Sequence, residues 1–269
     1  MDAEFRGKVR SRMPLVGTFI KTAAAEIAEI LGLAGLDFAI VDAEHAPFDL
    51  GRIDPLILGG RCSGLPCLVR IPANVPALAG QMLDLGAAGV LVPHVSNTAA
   101  AAATLAEAKF HRGRRGFSPS TRAAGYGMSA GADYAARADA ACMVWCQIED
   151  AEALRHIDEL AAMDAIDCLF IGPADLALSL GAKDHTDPVV AQAVQAVARA
   201  GEKHGRAIGI FVNDMEEGQR MLALGISVLV CGSDQSHLLR AARSMKASLA
   251  SGQTTRTSAT AGSPSRTGS

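Results

Sequence analysis

The sequence predicts an α/β fold made of a single (β/α)8 TIM barrel, and three observations indicate it. Short apolar runs alternate with stretches of helical periodicity along almost the whole chain. Most of these runs are apolar without interruption, as is typical of parallel strands that are buried on both faces. Eight such units in roughly 240 residues match the size of this barrel. A doubly wound open sheet has the same alternation and is the alternative fold.

The predicted strands follow the apolar runs in chain order, after a charged N-terminal segment. Each run is bounded by turn or polar residues and has a length that is normal for a buried strand. The predicted strands are Val16–Ile20, Phe38–Asp42, Cys67–Ile71, Gly89–Val95, Cys142–Glu149, Cys168–Gly172, Arg206–Val212 and Ser227–Gly232.

Helices are predicted between the strands, where apolar residues recur every three or four positions. Two segments, His111–Asp139 and the C-terminal stretch 251–269, depart from this alternation. His111–Asp139 has the Gly-, Arg- and Ser-rich composition of a functional loop. We expect a barrel domain over residues 1–250 and a disordered tail over 251–269, which is rich in Ser, Thr and Gly. The predicted helices are Ala23–Leu33, Pro76–Leu85, Ala99–Ala108, Ala151–Leu160, Pro188–Lys203 and Met215–Leu224.

The composition limits the class of protein. The 269 residues suffice for one large domain, and because aromatic residues make up only 4%, we expect aliphatic side chains to fill the core. A net charge of −3 argues against a nucleic-acid or anionic-membrane partner. No apolar stretch reaches the roughly 18–20 residues that a membrane span requires, and the N-terminus has no signal-peptide core. We therefore expect a cytoplasmic protein.

The six cysteines form no CxxC pair, and several lie inside apolar runs. This pattern indicates small buried hydrophobic side chains in a reducing compartment. The spacings do not match a structural zinc site.

Polar and ionisable residues gather at the C-terminal ends of the predicted strands. Fewer lie at the N-terminal ends, although Asp37, Asp167 and Arg206 are found there. Barrel enzymes build their active sites at the C-terminal face from several strands at once, so this asymmetry indicates an enzyme. The residues concerned are Asp42, Glu44, His45, Arg70, His94, Gln147, Glu149, Gly172, Asp175, Asn213 and Ser233.

Two carboxylates, Glu149 and Asp175, end neighbouring predicted strands. They can share one divalent ion and leave positions open for water and substrate, and oxygen ligands suit Mg²⁺ or Mn²⁺ better than zinc. The alternative is that each carboxylate caps the helix that follows it. The pairing at adjacent strand ends favours the metal site.

Three further features carry candidate chemistry. Arg70 ends an apolar strand, where its guanidinium requires an anion: a carboxylate or enolate oxygen of a substrate, or a structural partner on a neighbouring strand. His45 follows two acidic residues and is a candidate general base, whereas a structural role is favoured for His94. The turn Gly172-Pro173-Ala174 can direct backbone N–H groups at a substrate carboxylate, or it is a plain βα turn.

Several motifs resemble the class II, metal-dependent pyruvate aldolases of the aldolase/citrate lyase superfamily. This family includes 4-hydroxy-2-oxoheptanedioate aldolase and 2-keto-3-deoxyglucarate aldolase. The resemblance extends from about Val16 to Lys246 and is specific because a DxEH motif and a GPADLxxSLG block occur together. The motifs are VDAEH at 41–45, LVR at 68–70, QMLDLGA at 81–87, VPHV at 92–95, QIE at 147–149 and FIGPADLALSLG at 170–181.

The resemblance implies reversible aldol cleavage of 4-hydroxy-2-oxo acids to pyruvate and an aldehyde. The cofactor would be a divalent metal ion (Mg²⁺, Mn²⁺ or Co²⁺) bound by Glu149 and Asp175, and pyruvate would chelate it. The partners would be a small-molecule 2-oxo acid and an aldehyde. The assembly would be a homohexamer, a trimer of dimers that exchange C-terminal helices.

The resemblance also implies roles for individual residues. His45 would act as the base, and Asp84, from its own or a neighbouring subunit, would raise the basicity of His45. Asp42 competes with Asp84 for this role because it lies three residues from His45. Arg70 would stabilise the enolate. The substrate would contact Gln147, Gly172, Ala174 and Asp175.

The sequence differs from the family pattern at some positions, and it is compatible with other functions. Some members carry Trp where this chain has Thr18-Phe19, and the loop 115–127 keeps only the family outline; both are expected to shape the aldehyde pocket. A Schiff-base aldolase would require a buried strand lysine, whereas the lysines here lie in predicted loops and helices. The alternatives are a lyase acting on acyl-CoA 3-hydroxy acids and a non-catalytic binding protein on the same barrel.

Overall fold

The eight strands form a closed parallel barrel, in which each strand pairs with the next and β1 pairs with β8. The computed structural model describes residues 2–73, 75–129 and 131–260, and for 250–260 the backbone only. Closure confirms the predicted (β/α)8 fold and excludes the open sheet. The strands are β1 Leu15–Ile20, β2 Phe38–Asp42, β3 Cys67–Arg70, β4 Gly89–Val92, β5 Met143–Ile148, β6 Cys168–Ile171, β7 Ala207–Val212 and β8 Val228–Ser233.

Each predicted helical stretch contains a helix, with two differences in detail. The stretch 151–160 is divided into a 3-10 turn, Ala153–Arg155, and a short helix that begins at Ile157. The segment His111–Asp139 is not a loop throughout, because a helix begins at Tyr134 and covers its end. The helices are α1 Asp2–Arg10, α2 Ala25–Leu33, α3 Leu50–Ser63, α4 Leu78–Asp84, α5 Thr98–Ala108, α6 Tyr134–Ala141, α7 Ile157–Ala162, α8 Pro173–Ser179, α9 Pro188–His204, α10 Met215–Ala223 and α11 Asp234–Thr260.

The C-terminal end of the chain tests the domain prediction only in part. The described helix α11 ends at Thr260, so its backbone enters the segment for which disorder is expected. Residues 261–269 lie outside the described residues, and disorder of the tail stays a prediction. In the part of the chain that is described, no helix has the length and apolar character to cross a membrane.

Strand ends determine where the polar side chains lie. Several predicted strands extend one to three residues too far, since β4 ends at Val92, β5 at Ile148 and β6 at Ile171. His94, Glu149 and Gly172 therefore lie in the first residues after the strands. Because all eight strands are parallel, these positions meet at one rim of the barrel.

Two cores fill the protein, one between the strands and the helices and one inside the barrel. The outer core is aliphatic, as expected. The inner core is not: the rings of Phe38 and Trp145 lie 5.4 Å apart, and Phe5 of α1 packs 5.5 Å from Phe38. The few aromatic residues are thus concentrated inside the barrel, where Phe5 of α1 packs against them.

Charged residues at the N-terminal rim hold α1 in place. The buried carboxylate of Asp167 accepts hydrogen bonds from Arg6 and Arg10 of α1, both at 2.8 Å, and from the backbone N–H of Val144. Arg206 donates to the carbonyl oxygens of neighbouring loops. The ionisable residues at this rim are thus occupied by structural contacts.

Five of the six cysteines are buried, and only Cys62 is exposed. Burial raises the pKa of the Cys67 and Cys146 thiols to about 12. These side chains are therefore neutral hydrophobic groups, as the sequence indicates.

Removal of the Phe5 ring should loosen the closed end of the barrel. Phe5 is 3% exposed and contacts the rings of both Phe38 and Trp145. We expect Phe5→Ala to lower the free energy of unfolding by about 3 kcal/mol or more. Urea unfolding measures the change, and a red shift of Trp145 emission, from the single Trp of the chain, reports water at the ring.

The matched control is Phe117→Ala, which removes the same ring from a side chain that is 57% exposed. A loss of about 1 kcal/mol or less is expected for this variant. Equal losses for the two variants would contradict the role assigned to Phe5.

Candidate active site

A cavity of about 370 Å³ opens at the C-terminal rim of the barrel. It lies where the clustering of polar residues in the sequence indicates a site. Residues from seven of the eight strands, or from the turns that follow them, line it; among the described residues, β4 contributes none. The lining residues are Phe19, Lys21, His45, Arg70, Gln147, Phe170, Gly172, Pro173, Ala174, Asp175, Phe211, Asn213, Gly232, Ser233, Ser236 and Arg240.

Arg70 lines the cavity and is paired with Asp42, which is fully buried behind it. The guanidinium of Arg70 donates from Nε to Oδ1 of Asp42 at 2.9 Å and from Nη2 to Oδ2 at 2.7 Å. Lys21 Nζ lies 3.1 Å from the same carboxylate. Arg70 therefore has the structural partner on a neighbouring strand that was one of the two sequence-based interpretations, and that partner is Asp42. Arg70 also lines the cavity, where a substrate anion could reach it.

Charge compensation determines the protonation of Asp42. Burial raises the pKa of Asp42, but the hydrogen bonds and positive charge of Arg70 outweigh it and lower the pKa to about 2. Asp42 is thus ionised at neutral pH. Arg70 lines the cavity, its Nε also lies 3.5 Å from Glu44 Oε2, and its Cζ lies 4.6 Å from the Phe19 ring centroid.

His45 lies at the mouth of the cavity, with 54% of its side chain exposed. Its backbone N–H donates to Asp42 Oδ1 at 3.1 Å, and its Nε2 is 3.7 Å from Glu44 Oε2. Asp42 therefore contacts the backbone of His45 and not its ring. If Asp42 orients the His45 imidazole, it does so indirectly, by holding the backbone of the turn after β2 that carries His45.

Glu149 lies directly behind the cavity and is 2% exposed. Its Oε1 accepts the backbone N–H of His94 at 2.8 Å, and its Oε2 accepts the Gln147 side-chain amide. Burial raises the pKa of Glu149, the His94 N–H lowers it, and the negative charge of Asp175 raises it further. The net direction is upward, so the local positive charge is insufficient for this carboxylate.

The surroundings of Glu149 fit a divalent cation. A Cβ at Gly172 would lie 2.8 Å from Glu149 Oε2, so glycine keeps the space in front of the carboxylate open. The side-chain oxygen of Gln147 is buried and has no hydrogen-bond partner among the residues that the structure describes. Asp175, in the first turn of α8, supplies the second carboxylate. These oxygens are the ligand type of Mg²⁺ and Mn²⁺. The described residues contain no group of three or more His, Cys, Asp or Glu that could hold a metal ion, so the protein offers two carboxylates here and not a full ligand set.

Asp84 lies apart from this cavity within a single chain. Its Oδ1 accepts a hydrogen bond of 2.6 Å from Arg115, and Asp84 is not a lining residue. The loop 115–127 packs beside it and is held by an ion pair between Arg122 and Asp54. The expected contributions of Asp84 and of this loop to the site therefore stay predictions.

Sequence reasoning missed several lining residues. Phe170 and Phe211 look like ordinary core residues in an apolar run, yet with Phe19 they form the apolar floor of the cavity. Arg240 lies in the second turn of α11, where a charged side chain on an exposed helix carries no signal in the sequence. The position of Phe19 in the cavity agrees with the expectation drawn from the departure at Thr18-Phe19.

A closed (β/α)8 barrel with carboxylates, an arginine and a histidine gathered at one rim is a barrel enzyme, and comparison with known proteins makes it a carbon–carbon lyase of the aldolase type. The chain belongs to the HpcH/HpaI aldolase/citrate lyase family, whose profile matches residues 15–241. This membership confirms the resemblance drawn from the motifs.

The chain is similar to curated and solved members of this family. It is 33% identical over 251 residues to a hydroxypyruvate/pyruvate aldolase of Paraburkholderia phytofirmans, covering 89% of this chain and 96% of that protein. It is 31% identical to a 5-keto-4-deoxy-D-glucarate aldolase of Shigella boydii, covering 86% and 90%. A crystal structure of a family protein from Burkholderia cenocepacia superposes with a TM-score of 0.87 at 32% identity, covering 92% and 99%.

Neutralising Asp42 should destabilise the fold in a pH-dependent way. The pKa of Asp42 is lowered from its ordinary value of 3.8 to about 2, so its ionised form stabilises the folded chain above about pH 4, and this contribution is lost as the pH falls toward 2. We expect Asp42→Asn to cost about 2 kcal/mol or more at pH 7, and this cost should shrink between about pH 4 and 2.

Urea unfolding of wild type and variant over this pH range measures the difference. Asp164→Asn is the control. Asp164 is fully exposed, and its ion pair with Arg206, at 3.6 Å, should contribute little to stability. A cost of Asp42→Asn that stays constant from pH 7 to 2 would contradict the assignment.

Proposed function

We propose that this chain catalyses the reversible, metal-dependent aldol cleavage of 4-hydroxy-2-oxo acids to pyruvate and an aldehyde. The observation that carries the proposal is the buried Glu149 beside Asp175, with Arg70 on another wall of the same cavity. In this proposal the cation and the Arg70 guanidinium would both face the cavity in which the 2-oxo acid binds. The names of the relatives, which denote cleavage or formation of hydroxy-oxo acids, support the same class.

Glu149 and Asp175 are the residues that would hold the metal ion, as Mg²⁺, Mn²⁺ or Co²⁺. When bound, a divalent ion supplies Lewis acidity toward the carboxylate and keto oxygens of the substrate. The raised pKa of Glu149 indicates that a positive charge beside it would stabilise its ionised form.

The residues of the chain carry the remaining steps. His45, which lines the cavity, accepts the proton of the C4 hydroxyl. The C3–C4 bond then breaks, the C4 oxygen forms the aldehyde, and the electron pair of the broken bond passes into the enolate of pyruvate. Arg70 holds the developing negative charge on the enolate oxygen, and a proton added at C3 gives pyruvate.

Three neighbouring groups would hold the 2-oxo acid in place. Gln147, Gly172 and Ala174 line the cavity beside Asp175. Ala174 presents its backbone N–H at the start of α8, whereas Pro173 has none and the Gly172 N–H is donated to the Ile148 carbonyl oxygen, so Gly172 contributes space and Ala174 the donor. The substrate carboxylate would be bound here, next to the metal site.

Assembly would complete the site. Four large apolar side chains of α11, Leu238, Leu239, Met245 and Leu249, are each more than half exposed. Such a face supports packing of α11 against another subunit, as in a hexamer of exchanged C-terminal helices. In that assembly Asp84 would reach the His45 of a neighbouring subunit.

The side of the cavity formed by β1, β7 and β8 supports a substrate with a polar or anionic distal end. Lys21, Asn213 and Arg240 line it there. Arg240 donates to the backbone carbonyl of Asn213 at 3.2 Å, and within the described residues no carboxylate lies within salt-bridge distance of it. A free guanidinium at this position favours a carboxylate or hydroxyl groups on the aldehyde portion.

Cleavage should require a divalent ion. We expect pyruvate release from a panel of 4-hydroxy-2-oxo acids to fall at least about 10²-fold in EDTA and to return with Mg²⁺, Mn²⁺ or Co²⁺. A lactate dehydrogenase-coupled assay measures pyruvate, and cleavage that survives complete removal of metal would overturn the proposal.

A binding measurement tests the ligand assignment independently of turnover. Glu149→Gln should abolish calorimetric binding of Mn²⁺ and reduce cleavage by about 10²-fold or more. Glu152→Gln, three positions on in the sequence and exposed, is the matched control and should behave as wild type.

Arg240 should affect specificity more than catalysis. We expect Arg240→Ala to lower kcat/KM by about tenfold for a substrate whose aldehyde portion carries a carboxylate, with little change for a neutral substrate of equal length. Arg243→Ala, one turn further along the exposed face of α11, is the control. Equal losses on the two substrates would exclude recognition of the distal charge by Arg240.

A further inference from the structure

His94 has a backbone conformation that side-chain-bearing residues seldom adopt. Its φ is +55°, in the left-handed region, whereas most positive-φ positions of the described chain are glycines. His94 lies in the turn after β4, two residues past the strand end at Val92. Strain of this kind persists when surrounding contacts over-determine it, and it is concentrated at functional sites.

The left-handed conformation has a direct consequence for Glu149. It directs the His94 N–H at Glu149 Oε1, at 2.8 Å, while the other oxygen accepts the Gln147 amide. Each oxygen of the buried carboxylate is therefore tied to a different strand end. The carboxylate cannot rotate without breaking one of the two hydrogen bonds.

The imidazole of His94 holds the turn from outside. Its Nδ1 lies 3.2 Å from Asp150 Oδ2 and 3.5 Å from Glu149 Oε1, and half of the side chain is exposed. Asparagine and glycine adopt the left-handed region readily, whereas a β-branched residue there is strongly disfavoured. The backbone geometry and the imidazole can thus be separated by substitution.

We propose that His94 is a positioning residue for the metal site. Its left-handed backbone fixes the orientation of the Glu149 carboxylate through the hydrogen bond that the His94 N–H donates. This inference rests on the proposed metal role of Glu149 and Asp175. Mutation of a group that hydrogen-bonds a metal-ligating carboxylate, without touching the metal itself, commonly changes metal affinity by about 10- to 100-fold. We assign an effect of this size to the backbone conformation and a smaller one to the imidazole.

The test compares Mn²⁺ binding by His94→Gly and His94→Val, measured by calorimetry on the full chain. His94→Gly keeps the N–H and the left-handed backbone and should bind within about threefold of wild type. His94→Val disfavours that backbone and should bind about tenfold or more weakly. The Mn²⁺ concentration for half-maximal cleavage should rise in the same proportion, with kcat restored at saturating metal.

Controls separate this effect from general strain and from failure of the parent proposal. Arg112 has φ +58° far from the cavity, so Arg112→Val imposes similar strain and should leave Mn²⁺ affinity unchanged. If His94→Val does not fold, His94→Ala replaces it, with a loss between those of the Gly and Val variants.

Three outcomes decide the matter. Equal weakening in the Gly and Val variants would overturn the proposal in favour of the imidazole. Wild-type affinity in both would show that residue 94 does not position Glu149. Absence of Mn²⁺ binding by the wild-type protein would instead remove the proposed metal site itself.

Discussion

Closure of the barrel between β1 and β8 is the constraint on which the site depends. Asp234, at the start of α11, accepts the backbone N–H groups of Lys21 and Thr22 at 2.8 and 3.0 Å. Nearby, the Thr18 hydroxyl donates to the Cys231 carbonyl at 2.9 Å. These bonds join the first strand turn to the last, so that the two ends of the sheet form one rim. Without this seam, Lys21 would not reach Asp42, and the cavity would lack its β8 side.

Buried charge is the second organising principle, and the two carboxylate sites differ in how it is balanced. Asp42 faces Arg70 and Lys21, and the pKa of Asp42 falls to about 2 although burial opposes this. Burial and the negative charge of Asp175 raise the pKa of Glu149, although two N–H donors and the His94 imidazole, 3.5 Å away, oppose this. A cation beside such a carboxylate would stabilise its ionised form. The same rim thus contains a compensated ion pair and a hydrogen-bonded carboxylate whose charge is not fully compensated.

The sequence predicts the parts of this arrangement that depend on periodicity and strand order. Continuous apolar runs locate all eight strands, and parallel strands bring the residues after them together, which places Arg70 and Asp175 at one cavity. Pattern alone does not reveal contacts between side chains of distant segments. The packing of Phe5 inside the barrel and the bond from His94 to Glu149 depend on three-dimensional geometry, because neither residue type has a spacing that signals its role. Asp84 is identified by family resemblance only, since on pattern it is an acidic residue at a helix end.

The cavity has a buried half and an exposed half. This division offers a reason why relatives named for different substrates share one fold. The half lined by Gln147 and Arg70, with Glu149 directly behind it, is buried and hydrogen-bonded, so a substitution there would leave polar or charged groups unpaired in the protein interior and would cost several kcal/mol. The half that contains Arg240 and Asn213 is exposed, and substitutions at exposed positions usually change stability by about 0.5 kcal/mol or less. Stability thus constrains the half that would bind pyruvate far more than the half that would face the aldehyde. Change in the aldehyde partner is therefore the direction in which this barrel can vary at the least cost to its fold.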